Sequence, residues 1–283
     1  MKVKKLTPTL GAEISDIDLS VPVKEKTKQE LNKLFSEHAV LVFPGQPLTP
    51  PQFIQAAQLF GPLMEQQIKK FTLSDYPYVG FNSTKDLPIV NGKLQVRGEN
   101  YHTDHSNDLE PPKATSLVAV QIPTSGGDTQ FVDTRKAFDD LSPELKRTII
   151  TLKSLHVHES SRSPRSFAKL SPEEMAKIPQ TTQPLVIEHP DSKRPALYLN
   201  TGRMEGIEGM EANAAYELID FLYKHATQPK YEYRHKWRKG DFVIWDNRAV
   251  MHQANADYDP QEYRYLYRIM LKGSTLKSFS YRI

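Results

Sequence analysis

Apolar positions fall along this chain in short bursts separated by polar turns. They predict strands near 39–43, 115–122, 129–133, 154–158, 184–188, 196–200, 231–237, 241–245, 249–254 and 263–271. Asn91-Gly92 lies between Leu87-Pro88-Ile89-Val90 and Leu94-Gln95-Val96, the strongest short signal for a hairpin. Helical spacing replaces the burst pattern in a few places. Thr27-x-x-Glu30 reads as a capping box ahead of Leu31, Leu34 and Phe35. Thr49 and Pro50 open a second helix that Gly61 stops, with Phe53, Ala57 and Phe60 on its apolar face. Ser142-Pro143-Glu144 starts a third, running to about Leu152. A fourth covers roughly 211–226, with Ala215, Leu218, Ile219 and Leu222 on one side. The sum is a mainly β chain with helical decoration, a sandwich or a barrel. Residues 159–183 break the pattern. Ser160, Ser161, Ser163 and Ser166, with Pro164, Pro172 and Pro179, make a long polar insertion there, either a lid over a site or a disordered segment. Ser171-Pro172-Glu173-Glu174 would start one short helix within it.

No repeat or composition break divides the 283 residues, so one domain is expected over 1–283. Cysteine is absent, which excludes disulfides, a thiol nucleophile, an iron–sulfur cluster and a thiolate-bound zinc. A reducing, cytoplasmic setting fits that composition. Lysine and arginine total 37 and aspartate and glutamate 34, so the formal charge is +3, too mild for a nucleic-acid binder. Apolar stretches such as Ala39-Val40-Leu41-Val42-Phe43 are far short of the roughly 20 residues that cross a bilayer. The basic start Met1-Lys2-Val3-Lys4-Lys5 is not followed by the apolar run of a signal peptide. No membrane and no nucleic-acid partner is expected.

The candidate chemistry begins with His102-Thr103-Asp104. On a strand, residues i and i+2 share a face, which would set an imidazole beside a carboxylate. Two histidines and one carboxylate on one side of a metal make the site of non-haem Fe(II) oxygenases, but a lone H-x-D triplet arises often by chance. A third ligand must come from elsewhere. Farther on, Trp245-Asp246-Asn247-Arg248 leads to Val250-Met251-His252, and Arg264 and Arg268 follow within an aromatic and aliphatic strand. Four apart, both arginines face the same way. Inside a barrel they are costly unless they meet anions, and guanidinium grips a carboxylate or sulfonate with two parallel hydrogen bonds. Tyr263, Tyr265 and Tyr267 then face outward.

These pieces together resemble the TauD/TfdA family of Fe(II)- and 2-oxoglutarate-dependent dioxygenases. The matching segments are LGAEISDIDLS, VFPGQPLTPPQF, the HTD triplet, SGGDTQFVD, WDNRAVMHQANADY and RYLYR, spread from residue 10 to residue 268. The resemblance implies a double-stranded β-helix, or jelly-roll, barrel. It implies that His102, Asp104 and His252 ligate Fe(II), and that Thr129 and Arg264 bind a carboxylate of the cosubstrate 2-oxoglutarate. Arg268 matches the second arginine, which adjoins the cosubstrate and in some members grips the substrate's acidic group. Dioxygen is the remaining reactant, with succinate and carbon dioxide released and a C–H bond of a small anionic substrate oxidised, most simply by hydroxylation. By the same analogy the protein is a dimer or tetramer.

Two features depart from the family pattern. Tyr101 stands where many members have tryptophan, and residues 64–81 lack the histidine that taurine-using members place there. Tyr101, His105 and Arg203 join Arg268 as candidate substrate contacts. Arg97 reads as solvated, and His156 and His158 as structural, with one of them able to face the cavity. Asp246 and Asn247 read as turn residues satisfying backbone groups. Asn255-Ala256-Asp257-Tyr258 reads as a loop closing the barrel end. The competing functions are a barrel that binds a metal and a small acid without turnover, and a zinc hydrolase on the same triad.

Overall fold

The computed structural model describes residues 1–66, 69–85, 87–91, 93–96, 98–163, 173 and 179–281. Its main sheet runs, in order, through Lys2–Lys5, Ala12–Ser15, Val40–Phe43, Phe242–Asp246, Ala114–Gln121, Tyr265–Leu271, Tyr76–Ser83 and Thr72–Leu73. A smaller antiparallel sheet has Thr129–Asp133 at its centre, between Glu232–His235 and Val250–Ala254.

Alternation along the strands builds the layers. Leu41, Phe43, Phe242, Ile244, Ile269 and Leu271 pack outward with Leu31, Phe35 and Phe53 of the helices Glu25–His38 and Pro50–Gln58. Their neighbours Val40, Val42, Val243, Trp245 and Leu266 turn the other way and meet Phe131 and Val250 of the small sheet. That second cluster is the interior of the expected two-sheet jelly roll. The far side of the small sheet, through Val132 and Met251, packs on Ala215, Ile219 and Leu222 of the helix Ala212–Ala226.

Most expected elements form. The hairpin pairs Ile89–Val90 with Lys93–Leu94. Thr49 caps the second helix, its N–H donating to Gln52 Oε1 at 3.0 Å. The capping box at Thr27 does not form, because the first helix starts earlier, at Glu25, with Lys24 at the cap. The strands Lys2–Lys5, Tyr76–Ser83 and Met204–Ile207 and the helix Thr134–Asp139 go beyond the sequence reading. In the last, the Asp133 carboxylate accepts from the N–H groups of Arg135 and Lys136. Much of the 159–183 insertion, including the helix expected at 171–174, lies outside the described residues, as does Arg97. Among the described residues no helix is long and apolar enough to cross a membrane.

Candidate active site

His252 lies on an interior position of the small sheet, opposite Phe131. His102 makes a single antiparallel bridge to it: His102 N–H donates to the His252 carbonyl at 3.0 Å, and His252 N–H returns the bond at 2.9 Å. Directly opposed residues project to one face, so the two imidazoles sit with ring centroids 4.2 Å apart. The expected strand through Asp104 does not continue. After the bridge the chain turns, and His105 takes a left-handed φ of 47°. The turn carries the Asp104 carboxylate to the same place. Its oxygens lie 3.8 Å from His102 Nε2 and 3.9 Å from His252 Nε2.

The donor set fits a metal. Ligand atoms of His102, Asp104 and His252 all lie within 4.8 Å of one another. His102 Nδ1 is 2.8 Å from the Asn100 carbonyl, which fixes that nitrogen as the N–H and turns the Nε2 lone pair toward the cluster. Burial lowers both histidines, His252 to about 3, so the imidazoles are neutral at neutral pH. Burial pushes the Asp104 carboxyl up, but Arg268 together with His252, His102 and His105 outweighs it, and the carboxyl is held well below its usual range. Arg268 Nη2 is 3.1 Å from Asp104 Oδ1. Beneath His102, Gly98 has φ +77°, and a Cβ there would come within 2.8 Å of His102 Cε1.

Arg264 and Arg268 both face inward, as the spacing predicts, while Tyr267 packs outward against the first core layer. Four strand residues separate them by about 13 Å. Arg264 is buried, and its Nε donates to the Gly127 carbonyl at 3.0 Å. Burial pulls its pKa down to about 10, so it stays charged. No carboxylate pairs with it among the described residues. Asp128, whose charge it feels, is itself paired with Arg234 Nε at 2.7 Å. Thr129 is buried and its Oγ1 accepts from Trp237 Nε1 at 3.0 Å, which leaves the hydroxyl proton to donate. Asp257 Oδ1 accepts from Gly127 N–H at 2.9 Å and Asp257 Oδ2 pairs with Arg234, so the 255–258 loop is tied to the Gly127 turn beside Arg264.

Arg203 Nη1 donates to Asn107 Oδ1 and reaches His158 Nδ1 at 3.4 Å. Burial lowers its pKa, opposed by Asp104 and Asp108. Arg203 also acts, with Arg268, on His105, which burial drives down to about 3. His105 and Arg203 are therefore within electrostatic reach of Asp104. Tyr101 is drawn into the core under the Ala212–Ala226 helix, and the hydroxyl expected to meet substrate instead donates to Glu232 Oε2 at 2.7 Å.

His189, Asp191 and Asp246 also gather titratable groups, but Arg248 occupies that cluster, donating to both oxygens of Asp246 at 2.7–2.8 Å. His189 Nδ1 accepts from the N–H groups of Asp191 and Ser192, so its Nε2–H donates to Asp246. That network is structural, as read for Asp246. Asn247 differs from its reading: its side chain joins Trp245 to Thr115, and Thr115 to Asp104. Only a polar residue opening an apolar strand marks Thr115 in the sequence.

Residues 2–270 match the family described as taurine catabolism dioxygenase TauD, TfdA family. The chain is 33% identical over 273 residues to the alpha-ketoglutarate-dependent 2,4-dichlorophenoxyacetate dioxygenase of Cupriavidus pinatubonensis, covering 93% of this chain and 94% of the relative. It is 32% identical over 278 residues to the alpha-ketoglutarate-dependent sulfonate dioxygenase of Saccharomyces cerevisiae, covering 95% of this chain and 66% of that one. Its fold matches the crystal structure of a taurine dioxygenase from Burkholderia xenovorans with a TM-score of 0.82 at 28% identity, over 98% of this chain and 92% of that one.

Proposed function

Because the chain belongs to the TauD/TfdA family of Fe(II)- and 2-oxoglutarate-dependent dioxygenases, we propose that it oxidises a C–H bond of a small anionic substrate, by hydroxylation, with release of succinate and carbon dioxide. Membership sets aside the binding-only and hydrolase alternatives. The observation that carries the substrate reading is the pair of inward arginines on one strand, one with no carboxylate partner among the described residues and the other at the aspartate of the proposed triad.

His102, Asp104 and His252 would hold Fe(II). The iron and 2-oxoglutarate, when bound with dioxygen, supply the oxidising chemistry, and the protein supplies orientation and a dry site. Arg264 and Thr129 grip the distal carboxylate of the cosubstrate. Arg264 brings a forked donor, and Thr129 a hydroxyl whose oxygen already accepts from Trp237. Arg268 is four residues along the same strand, so it faces the metal end and orients the acidic group of the substrate there. His105 and Arg203, which bear electrostatically on Asp104, are assigned as further contacts for that acidic group. Relatives named for a phenoxyacetate and for sulfonates support a substrate carrying a carboxylate or a sulfonate.

The test is anaerobic titration of the apoprotein with Fe(II) and then 2-oxoglutarate, followed by visible absorption. A charge-transfer band in the wild type that is lost in His102→Ala and weakened in Arg264→Ala supports the site. Succinate release is then scored against a panel of carboxylates, sulfonates and sulfate esters. Release with neutral compounds alone would overturn the anionic substrate.

A further inference from the structure

We propose that Thr115 is a positioning residue for the metal: its hydroxyl, oriented by Asn247 and Trp245, holds the Asp104 carboxylate facing His102 and His252. This inference rests on the reading of those three residues as the iron ligands.

The argument follows from which atoms can donate. Indole Nε1–H only donates, so the 3.1 Å contact from Trp245 makes its partner on Asn247 the amide oxygen. That settles the Asn247 amide the other way round as well: its Nδ2–H group faces Thr115 Oγ1 at 3.0 Å and donates to it. With its oxygen already accepting, the Thr115 hydroxyl directs its one proton to Asp104 Oδ2, at 2.6 Å. The chain of three bonds thus has a single direction, from indole to carboxylate. Every link is buried: Thr115 is 0% exposed, Trp245 and Asn247 2%, and Asp104 9%. In such surroundings linked hydrogen bonds reinforce one another, and an unpaired member is costly.

The chain also joins the parts of the fold that carry the ligands. Thr115 lies in the central strand Ala114–Gln121 of the main sheet. Asn247 lies in the turn between Phe242–Asp246 and the strand that bears His252. The Asn247 carbonyl accepts from the Thr103 hydroxyl at 2.7 Å, so the same residue touches the loop between His102 and Asp104. Asp104 stands in a turn rather than a strand, with no regular ladder to aim it. Its two oxygens are instead held from opposite partners, Oδ2 by Thr115 and Oδ1 by Arg268. Ligating carboxylates are commonly fixed by such outer hydrogen bonds, and losing one weakens metal binding about 10- to 100-fold.

The experiment measures Mn(II) binding to the full-length apoprotein by the electron paramagnetic resonance of unbound Mn(II). Thr115→Val removes the donor and keeps the shape, and its Mn(II) dissociation constant is expected to rise about 10- to 100-fold. Thr115→Ser, which restores the hydroxyl, is expected to return it to within about threefold of the wild type. Thr115→Ala carries the same expectation as the valine variant and replaces it if that variant does not fold, as judged by metal-free thermal unfolding. Asp104→Ala and His252→Ala separate the two layers of the argument. If they bind Mn(II) as tightly as the wild type, the triad reading itself fails. If they lose Mn(II) while the valine and alanine variants bind it within about twofold of the wild type, the role of Thr115 is overturned and the triad stands. A serine variant as weak as the valine variant overturns it equally.

Discussion

Arg264→Met tests whether that arginine serves a ligand or the fold. Arg264 is 7% exposed, and its guanidinium makes one described hydrogen bond, to the Gly127 carbonyl. Burying a lone ion costs several kcal/mol. A hydrogen bond from a charged group returns about 1.5–3 kcal/mol of that. Methionine fills similar space without the charge, so the cosubstrate-free variant should be as stable as the wild type or more so. Binding should respond in the opposite direction. Losing one partner of a buried, hydrogen-bonded charge pair costs about 2–5 kcal/mol. That corresponds to a loss of about 30-fold to several-thousand-fold in affinity for 2-oxoglutarate. The assay is anaerobic thermal unfolding with Mn(II), with and without the cosubstrate. At about 100 times its dissociation constant, 2-oxoglutarate stabilises the wild type by about 2.7 kcal/mol. At this size that is a rise of roughly 5–10 °C. In the variant, the same concentration should give less than about 1 kcal/mol, or under about 3 °C. A full shift in the variant would refute the assignment. So would a cosubstrate-free variant destabilised by more than about 3 kcal/mol, because Arg264 would then be serving the fold.

Gly98→Ala should weaken Mn(II) binding. Its Cβ would press on His102 Cε1 at 2.8 Å, and the left-handed φ adds about 1–2 kcal/mol of strain; metal affinity equal to the wild type by titration would contradict this. Arg234→Ala should raise the KM for 2-oxoglutarate and leave Mn(II) affinity unchanged, because Arg234 ties Asp128 and Asp257 around the Gly127 turn that Arg264 leans on; steady-state kinetics beside metal titration separates the two. His156 is buried, and burial, then Arg203, holds its pKa down at about 3. The unfolded chain binds that proton near pH 6.5, so the stability is complete above pH 6.5 and is lost as pH falls toward 3. The slope is about 1.4 kcal/mol per unit in that window. Between pH 7 and pH 5 this one residue removes about 2 kcal/mol, and urea unfolding of metal-free His156→Gln should show a drop smaller by that amount. An identical drop in both proteins would sink the idea.

What the sequence reveals of this fold follows from where period two survives. Along 40–43, 242–245 and 264–271, alternate residues meet two different apolar layers, so the bursts mark strands and the two inward arginines stand out as charges in an apolar series. The first helix is misread at its start because Glu25 and Lys26 are exposed and leave no imprint on the apolar spacing, whereas Thr27 offers a motif that the backbone does not use. The metal triad is legible for its residue types but not for its geometry. A strand would have put His102 and Asp104 side by side, yet the structure reaches the same result with one bridge and a turn through His105, neither of which leaves a periodic trace. Tyr101 shows the limit of reading neighbours of a motif: adjacent residues on extended backbone face opposite ways, so a ligand at 102 sends 101 into the core, where Glu232 takes its hydroxyl. Thr115 is hidden for a different reason. Its partners are 11 and 132 residues away, Asp104 on one side and Asn247 on the other. A polar residue at the start of a buried strand acquires meaning only when folding sets three distant segments against one another. The ligands of this site are therefore a property of local sequence, and their aim is a property of the closed sandwich.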